Sequence, residues 1–305
     1  MSAEARATLR LDAIKTALTV AAGLGAGVTL LVALRRQALS ERGQRHLEED
    51  SREQRITTLY VAAAEQLGND KAAVRLAGLY ALERLGQDNP KLRQTVIDVI
   101  CAYLRMPFAP PAEVLRGNAE HSPCTLARDD PDPEPDRQPE RRQELQVRLT
   151  AQRLLRDHTR ASGPDNEPVT YWRGPAGERM NLDLGGAVLV FFDLGDCEVG
   201  AAVFGYAQFH GGTDLVRTQF HGSAALVGAR FYGYLNLRAA RFHGHADLTA
   251  AAFHGVVDFA DVRATDQANL PEGCVLVPET GEPLRRVACL RGVAEAAVSP
   301  PATAT

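Results

Sequence analysis

A spacing of eleven residues dominates the second half of the sequence. Phenylalanine recurs at this spacing at Phe220, Phe231, Phe242 and Phe253. A second apolar ladder runs between these residues, at Leu226, Leu237, Leu248 and Phe259. Neither the 3.6-residue period of an amphipathic helix nor the two-residue period of a strand fits these intervals. The segment is therefore a tandem repeat, and this restricts the folds open to it more than any other feature.

The repeat unit is five residues long at first and then alternates between six and five. Up to Phe209 the apolar centres are strictly five residues apart, and beyond it the two intervals alternate. The fifteen centres are Leu184, Leu189, Leu194, Val199, Phe204, Phe209, Leu215, Phe220, Leu226, Phe231, Leu237, Phe242, Leu248, Phe253 and Phe259. The residue two positions before each centre is mostly small. We expect the centres to form the core of the repeat domain.

Several units carry Asp or Asn immediately before the centre. These residues are Asp183, Asp193, Asp214, Asn236, Asp247 and Asp258. Together with the apolar centre and the small residue, they make residues 182–262 resemble the pentapeptide-repeat family, whose unit is roughly A(D/N)LXX. The stretch FHGHADL at residues 242–248 is similar to a phenylalanine-rich variant of these repeats. The apolar N-terminal segment and residues 65–85 also resemble a module found in bacterial pentapeptide-repeat proteins.

The resemblance implies a right-handed quadrilateral β-helix with four units in each coil. Coils of such a helix stack at about 4.8 Å, so the centres form internal ladders. The sixth residue of each longer unit falls beside a glycine, for which we expect a positive φ. An eleven-residue repeat is also typical of a right-handed coiled coil. Recurrent Gly, Phe and Thr are poor helix formers and argue against that alternative.

Residues 16–34 are an uncharged stretch near the N-terminus. A helix of this length, at about 1.5 Å per residue, spans the hydrocarbon core of a bilayer. Arg35 and Arg36 follow it directly, and the positive-inside bias places the bulk of the chain in the cytoplasm. Gly23 and Gly27 form a GxxxG motif, which permits a homodimer through close helix pairing. A signal peptide and a buried soluble helix are the alternatives.

Three helical patterns follow the apolar stretch. The first runs to Leu67, the second ends at Gly86, and the third starts at Pro90 and stops before Pro107. They predict a small antiparallel bundle or one HEAT-like unit. Proline and charge dominate residues 129–142, which is typical of an extended, disordered linker.

The sequence as a whole predicts an α+β multidomain chain. Its predicted segments are a tail and transmembrane helix (1–37), a helical module (38–107), a disordered linker (108–142), a helix leading into the solenoid (143–180), a pentapeptide-repeat β-helix (181–262), and a capping segment with a disordered tail (263–305). A cap is expected because the last coil of a β-helix otherwise exposes strand edges.

Motifs of enzymes and metal proteins are missing from the sequence. The five cysteines are Cys101, Cys124, Cys197, Cys274 and Cys289, and they form no CxxC pair. This argues against a disulfide framework or a structural zinc site and favours a reducing cytoplasm. No Walker loop, GxSxG or HExxH motif is present. We therefore predict a chain that is not an enzyme and binds no cofactor.

Outward residues of the repeat carry further hypotheses. His221 and His243 are predicted to stack on one face, as a candidate metal site or pH sensor. His210, Tyr232 and His254 are predicted to stack on the opposite face. The simpler interpretation of both rows is a solvated surface that repeats with the fold.

Two functional hypotheses differ in the kind of partner. Some pentapeptide-repeat proteins resemble B-DNA and engage DNA topoisomerases such as gyrase, so the family likeness offers DNA mimicry as one alternative. Residues 181–262, however, have an excess of only four carboxylates, and the net charge of −4 gives no case for direct nucleic-acid binding. We expect instead a membrane-anchored scaffold that binds an unidentified protein partner at the cytoplasmic membrane face.

Overall fold

The fold is described from a computed structural model, which covers Arg35 and residues 51–121, 137–161, 171–277 and 283–289. The chain divides after Leu59 into two compact units. In the first unit, residues 51–59 belong to a helix, α1, that spans residues 51–67. The predicted membrane span at residues 16–34 lies outside the described residues. Within those residues, no helix combines the length and apolar character needed to cross a bilayer.

The other helices whose bounds the structure describes belong to the second unit, residues 60–305. They are α2 (Ala72–Asp88), a 3₁₀ turn (Pro90–Leu92), α3 (Arg93–Arg105), α4 (Ala112–His121) and α5 (Gln138–Thr159). The predicted helical module is thus present. Helix α4, however, forms inside the segment whose composition predicts a linker. Its Val114 is buried in a small cluster with Leu145 and Val190, which explains why this part of the segment is ordered. The predicted domain boundaries stay predictions.

Helix α2 also differs from the sequence prediction at its C-terminal end. Gly86 was expected to end the helix, but α2 continues to Asp88. The reason is packing rather than capping. A Cβ built on Gly86 would lie 2.5 Å from Cη2 of Trp172, whose ring is fully buried. Glycine is needed here to admit the indole.

Residues 182–264 form a β-solenoid of about four turns. Its strands are β1 (Leu182–Asp183), β2 (Val188–Val190), β3 (Glu198–Val199), β4 (Ala202–Val203), β5 (Gln208–His210), β6 (Thr213–Asp214), β7 (Gln219–Phe220), β8 (Ala224–Ala225), β9 (Arg230–Phe231), β10 (Leu235–Asn236), β11 (Arg241–Phe242), β12 (Ala246–Asp247), β13 (Ala252–Phe253), β14 (Val257–Asp258) and β15 (Arg263–Ala264). Two further strands, β16 (Cys274–Val277) and β17 (Arg285–Cys289), follow it.

The strands of successive turns pair in parallel and make four faces. Face 1 consists of β1, β4, β8 and β12, and face 2 of β2, β5, β9 and β13. Face 3 consists of β6, β10 and β14, and the bridge between Asp193 and Asp214 extends it into the first turn. Face 4 consists of β3, β7, β11 and β15, to which β17 and β16 are added. The four-sided cross-section agrees with the predicted quadrilateral form, and right-handed coiling stays a prediction.

Stacked aromatic rings fill the interior. On face 2, Phe209 lies 4.4 Å from Phe231, and Phe231 lies 5.4 Å from Phe253. On face 4, the rings of Phe220 and Phe242 stack at 4.9 Å. Such separations follow from strands spaced about 4.8 Å apart with side chains in register. The repeat of 22 residues per turn therefore places each ring directly on its equivalent in the next turn.

At three of the six-residue corners, glycine occurs for a different reason from the one predicted. Gly211 has the expected positive φ of 73°. Gly233, Gly244 and Gly255 do not have a positive φ. At each of these three, a Cβ would instead collide with the carbonyl group of the glycine one turn below. The glycines are required because the backbones of successive turns approach too closely for a side chain.

The N-terminal end of the solenoid is closed by the helices of the second unit. The side-chain amide of Gln152 on α5 donates to the Val190 carbonyl at 2.9 Å and accepts from the Val190 N–H at 3.3 Å. Gln94 on α3 makes the same pair of bonds to Asn181, at 3.0 and 2.9 Å. Each amide thus replaces a strand partner that the first turn lacks, which protects an edge from further pairing.

The C-terminal end is closed by a hairpin on face 4. Strand β17 pairs antiparallel with β15 and with β16, and Cys274 lies opposite Cys289. These two cysteines form a disulfide, so the prediction from their spacing was wrong for this pair. Their proximity arises from the hairpin register, which no short motif reveals. On face 1, Asn269 continues the ladder beside Asp247.

Candidate functional site

The predicted core residues point into the solenoid. Fourteen of the fifteen centres are at most 4% exposed, whereas Phe259 is partly buried and lies edge-on to Phe253. Face 4 of the last turn has one further inward residue, Ala264, which is fully buried. The sequence prediction missed this unit because its centre is too small to continue the apolar ladder. Candidate functional groups therefore lie on the outward positions.

The Asp and Asn residues before the centres have a local role. Oδ1 of Asp214 accepts the Val216 N–H at 2.9 Å, and Oδ1 of Asn236 accepts the Arg238 N–H at 3.1 Å. Asp258 makes the corresponding bond to Ala260. Each bond leads into a tight turn. The residue with a positive φ in these turns is Arg217, Ala239 or Asp261, three positions after the Asp or Asn. The polar ladder predicted on face 3 thus supports the corners, although its carboxylates remain on the surface.

His221 and His243 stack on face 4, as predicted. Their ring centroids are 4.7 Å apart and nearly parallel. Burial lowers the pKa of both imidazoles, and nearby arginines lower it further. Nε2 of His221 lies 3.6 Å from Oε2 of Glu198, a carboxylate that the sequence did not place there. Even so, the described residues contain no group of three or more His, Cys, Asp or Glu arranged to hold a metal.

Glu198 is already engaged by arginines. Arg179 donates to it from Nε at 2.8 Å, and Nη2 of Arg173 lies 3.8 Å away. Burial is the largest single influence and raises the pKa of the Glu198 carboxyl, but the hydrogen bond from Arg179 and the nearby positive charges together lower the pKa below its usual value. The negative charge of Glu198 is therefore compensated by the arginines beside it.

The row on face 2 is also formed as the sequence predicts. The rings of His210, Tyr232 and His254 stack at 4.7 and 5.1 Å. His210 is only 6% exposed, and burial lowers its pKa to about 4. Helix α4 packs against β5, the strand that carries His210, whereas His254 lies two turns away and is partly exposed.

An arginine row on face 4 was missed by the sequence prediction. Arg241 pairs in register with Arg263, and Arg263 pairs in register with Arg286 on β17. We call these three residues the arginine ladder. Arg241 and Arg263 precede inward residues and so point outward, because successive side chains of a strand alternate between its two sides. Arg286 joins the row through the antiparallel hairpin, which lies beyond the repeat pattern.

The free thiols in the described part of the chain are unreactive. Burial raises the pKa of both the Cys101 and the Cys197 thiol to about 12. At neutral pH these groups are therefore protonated, and the thiolate needed for nucleophilic chemistry is scarce.

The comparison with protein families agrees with the geometry of the turns. Residues 215–263 match the family model for pentapeptide repeats (9 copies). These pentapeptide repeats span the second half of turn two through most of turn four. The strict five-residue units before them lie outside the match but build the same faces. No curated protein and no solved structure matches the chain.

Proposed function

We propose that this chain is a non-enzymatic scaffold whose solenoid binds a protein partner at the cytoplasmic face of the cell membrane. Pentapeptide-repeat proteins are often non-enzymatic and involved in protein interactions, which supports a binding role. Residues 16–34 would supply a single-pass anchor, with Gly23 and Gly27 available for pairing of two such anchors.

The observation that carries the binding role is the fixed geometry of the outward rows. Outward residues follow inward residues that are locked by stacked rings, as in the Phe220–Phe242 pair beneath His221 and His243. Side chains held in this way lose little conformational entropy on binding. A rigid face with residues at a constant spacing therefore suits recognition of a second protein better than an equally charged flexible segment would.

The test is site-specific photo-crosslinking with the full-length chain in intact cells. A photoreactive amino acid is placed on one face at a time, at Ala225 (face 1), Arg230 (face 2), Asn236 (face 3) or Gln219 (face 4). All four positions point outward from strands in the middle turns. We expect one membrane-fraction protein to be captured from one face or from two adjacent faces. No capture from any face, or equal capture from all four, would contradict specific binding.

The anchor is tested separately by deleting residues 1–37. We expect the full-length chain in the membrane fraction and the deleted chain in the soluble fraction, with an unchanged melting temperature for the second unit. A full-length chain that is released by high salt would contradict a spanning anchor, because a spanning helix is not held by screened charges.

A further inference from the structure

The row of outward side chains on face 2 is covered in its first half and partly exposed in its second half. Val190, in the first turn, is buried against Val114 of helix α4. His210 lies in register with it in the second turn and is also buried, and α4 packs against its strand. Tyr232 and His254 continue the row in the third and fourth turns, where both are partly exposed. The fold thus uses the first half of this row to hold a helix.

A second outward row lies next to the first, where face 2 turns into face 3. It consists of Tyr234 and Val256, which are 38% and 58% exposed. Gly233 and Gly255 lie between the two rows and contribute no side chain. Together with Phe191, Tyr234 and Val256 make up three of the five large apolar residues that are exposed in residues 182–264. The exposed apolar surface of the solenoid is therefore concentrated beside face 2. The four residues that we call the aromatic patch are Tyr232, Tyr234, His254 and Val256.

The composition and the rigidity of the aromatic patch suit a protein interface. Tyrosine is enriched in such interfaces, since its ring supplies apolar area and its hydroxyl group can form a hydrogen bond. The ring of Tyr232 is held between those of His210 and His254, whose centroids are 4.7 and 5.1 Å away. Side chains that are already ordered lose little conformational entropy when a partner binds. A contiguous apolar patch on a surface is also typical of a site of interaction.

Opposite charges flank the aromatic patch. Arg230 precedes Tyr232 by two residues, is exposed, and forms no ion pair with any residue that the structure describes. Asp258 lies on the other side of the patch, near Tyr234. Burial raises the pKa of the Tyr234 hydroxyl, and the carboxylates of Asp258 and Asp214 raise it further. The patch therefore has an exposed cation on one side and carboxylates on the other.

We infer that the aromatic patch binds an amphipathic α-helix of a protein partner, with an acidic residue of that helix paired to Arg230. This inference rests on the proposed scaffold function and names the partner's chemistry. Successive turns of an α-helix are about 5.4 Å apart, and the rings of Tyr232 and His254 are 5.1 Å apart. A helix that lies along the solenoid axis therefore meets one ring with each of its turns. Its apolar stripe continues the row on which α4 already packs.

Other kinds of partner fit the patch less well. An anionic membrane surface attracts clusters of basic residues, whereas this patch has one arginine and lies beside the carboxylate of Asp258. A nucleic acid requires an extended basic surface, and the net charge of the chain is −4. A partner strand requires an open sheet edge, whereas the patch stands on the outer side of the solenoid. A helix needs only the apolar rows and one carboxylate for Arg230.

The direct test measures binding of the full-length chain to fluorescent alanine-based helical peptides. The first peptide carries leucines at positions i, i+4 and i+7 and a row of glutamates beside this stripe. Two controls have the same length: one spreads the leucines around the helix, and the other replaces the glutamates by lysines. We expect the first peptide to bind about tenfold more tightly than either control. Equal affinity for the striped and the spread peptide would overturn the inference.

Substitutions in the exposed row locate the binding to the patch. Y234S/V256S removes apolar area at two exposed positions and should weaken binding of the striped peptide by about tenfold. Y80S/V275S is the matched control, because Tyr80 and Val275 lie elsewhere and are 46% and 59% exposed. It should change the affinity by less than about twofold. Both variants should melt close to the parent, since exposed side chains contribute little to stability. Unchanged binding by Y234S/V256S would overturn the inference.

A charge reversal tests the acidic contact without touching the core of the fold. In R230E the preference between the glutamate and the lysine peptide should reverse, because like charges then repel and opposite charges attract. R238E makes the same change of net charge at an exposed arginine of a different corner. It should therefore retain the preference for the glutamate peptide. The same preference in R230E as in the parent would contradict pairing with Arg230 and overturn the inference.

The closing experiment separates this inference from the proposed function. A photoreactive amino acid at Ala252, which pairs in register with Arg230, is used with the full-length chain in intact cells. A crosslink to an amphipathic helical segment that contains a carboxylate, lost in Y234S/V256S, supports the inference. A crosslink to a lipid or to a second copy of the chain, or capture of a protein from the other faces alone, would overturn it while the scaffold function stands. Absence of crosslinks from every face would contradict the function itself, while the peptide measurements would still decide the chemistry of the patch.

Discussion

The two ends of the solenoid are closed by different means. At the N-terminal end, helices α3 and α5 contact the first turn through amide hydrogen bonds and ion pairs, including Arg156 with Asp193 at 2.7 Å. At the C-terminal end, a hairpin with one disulfide extends face 4 alone. Among the described residues, β13 and β14 have a strand partner on one side only. The difference indicates that the first turn is the stable end and that unfolding starts from the last turn.

The largest effect is expected from removing the indole at the N-terminal end. Trp172 is fully buried, stacks on His158 at 3.8 Å, and donates from Nε1 to Gln87 at 2.9 Å. Trp172→Ala should lower the free energy of unfolding by about 3–5 kcal/mol, measured by urea denaturation. Tyr206→Ala, at a side chain that is 73% exposed, is the control and should change it by about 0.5 kcal/mol or less. A loss below about 1 kcal/mol for Trp172→Ala would contradict tight packing of the helices that close the N-terminal end.

The second prediction concerns the covalent closure of the other end. Replacing Cys274 and Cys289 by serine opens a loop of 15 residues, which corresponds to about 3 kcal/mol of unfolded-state entropy. We expect the amides of β15 to exchange with solvent much faster in this variant, while those of β2 keep their protection. Adding a reductant should speed up the exchange of the β15 amides in the parent in the same way. It should cause no additional change in the serine variant. Uniform loss of protection along the solenoid would refute unfolding from the last turn.

These two ends also show what the sequence could and could not predict. The repeat spacing predicts the four faces and the inward residues, because each position depends only on its neighbours one turn away. The glycine corners were predicted at the right positions, and the expected positive φ is found at Gly211, whereas at Gly233, Gly244 and Gly255 close contact between turns is the reason for glycine. The buried indole beside Gly86, the amide pairs of Gln94 and Gln152, and the disulfide depend on residues far apart in sequence, for which no periodic signal exists.

The third prediction compares two histidines of one row at different distances from the helices. Burial lowers the pKa of His210 to about 4. Burial also lowers the pKa of His254, which is partly exposed. Since an unfolded histidine titrates near 6.5, the folded state binds fewer protons below that pH. The contribution of the neutral His210 to the free energy of unfolding is therefore fully present above about pH 6.5. The free energy of unfolding falls by up to about 3 kcal/mol as the pH decreases towards 4.

The measurement is the free energy of unfolding as a function of pH in three proteins. His210→Gln should flatten the decrease between pH 6.5 and 4, and His254→Gln should leave most of it in place. Similar curves for His210→Gln and the parent would show that burial near α4 does not control the acid response.

The smallest loss of stability is expected from replacing a side-chain amide that forms the hydrogen bonds of an absent strand. The size of this loss depends on whether water can reach the bonds. Gln152 and its partner Val190 are both buried, whereas Gln94 and Asn181 meet at the surface. Gln152→Met keeps the bulk but leaves the Val190 N–H and carbonyl without a partner, which should cost about 1–3 kcal/mol. Gln94→Met should cost less than about 1 kcal/mol, because water can replace its two bonds.

Amide exchange gives the local check, since only the Val190 N–H should lose strong protection. If both variants cost the same, burial would not be what makes the N-terminal closure strong, and the contrast between the two ends would rest on Trp172 and the ion pairs alone.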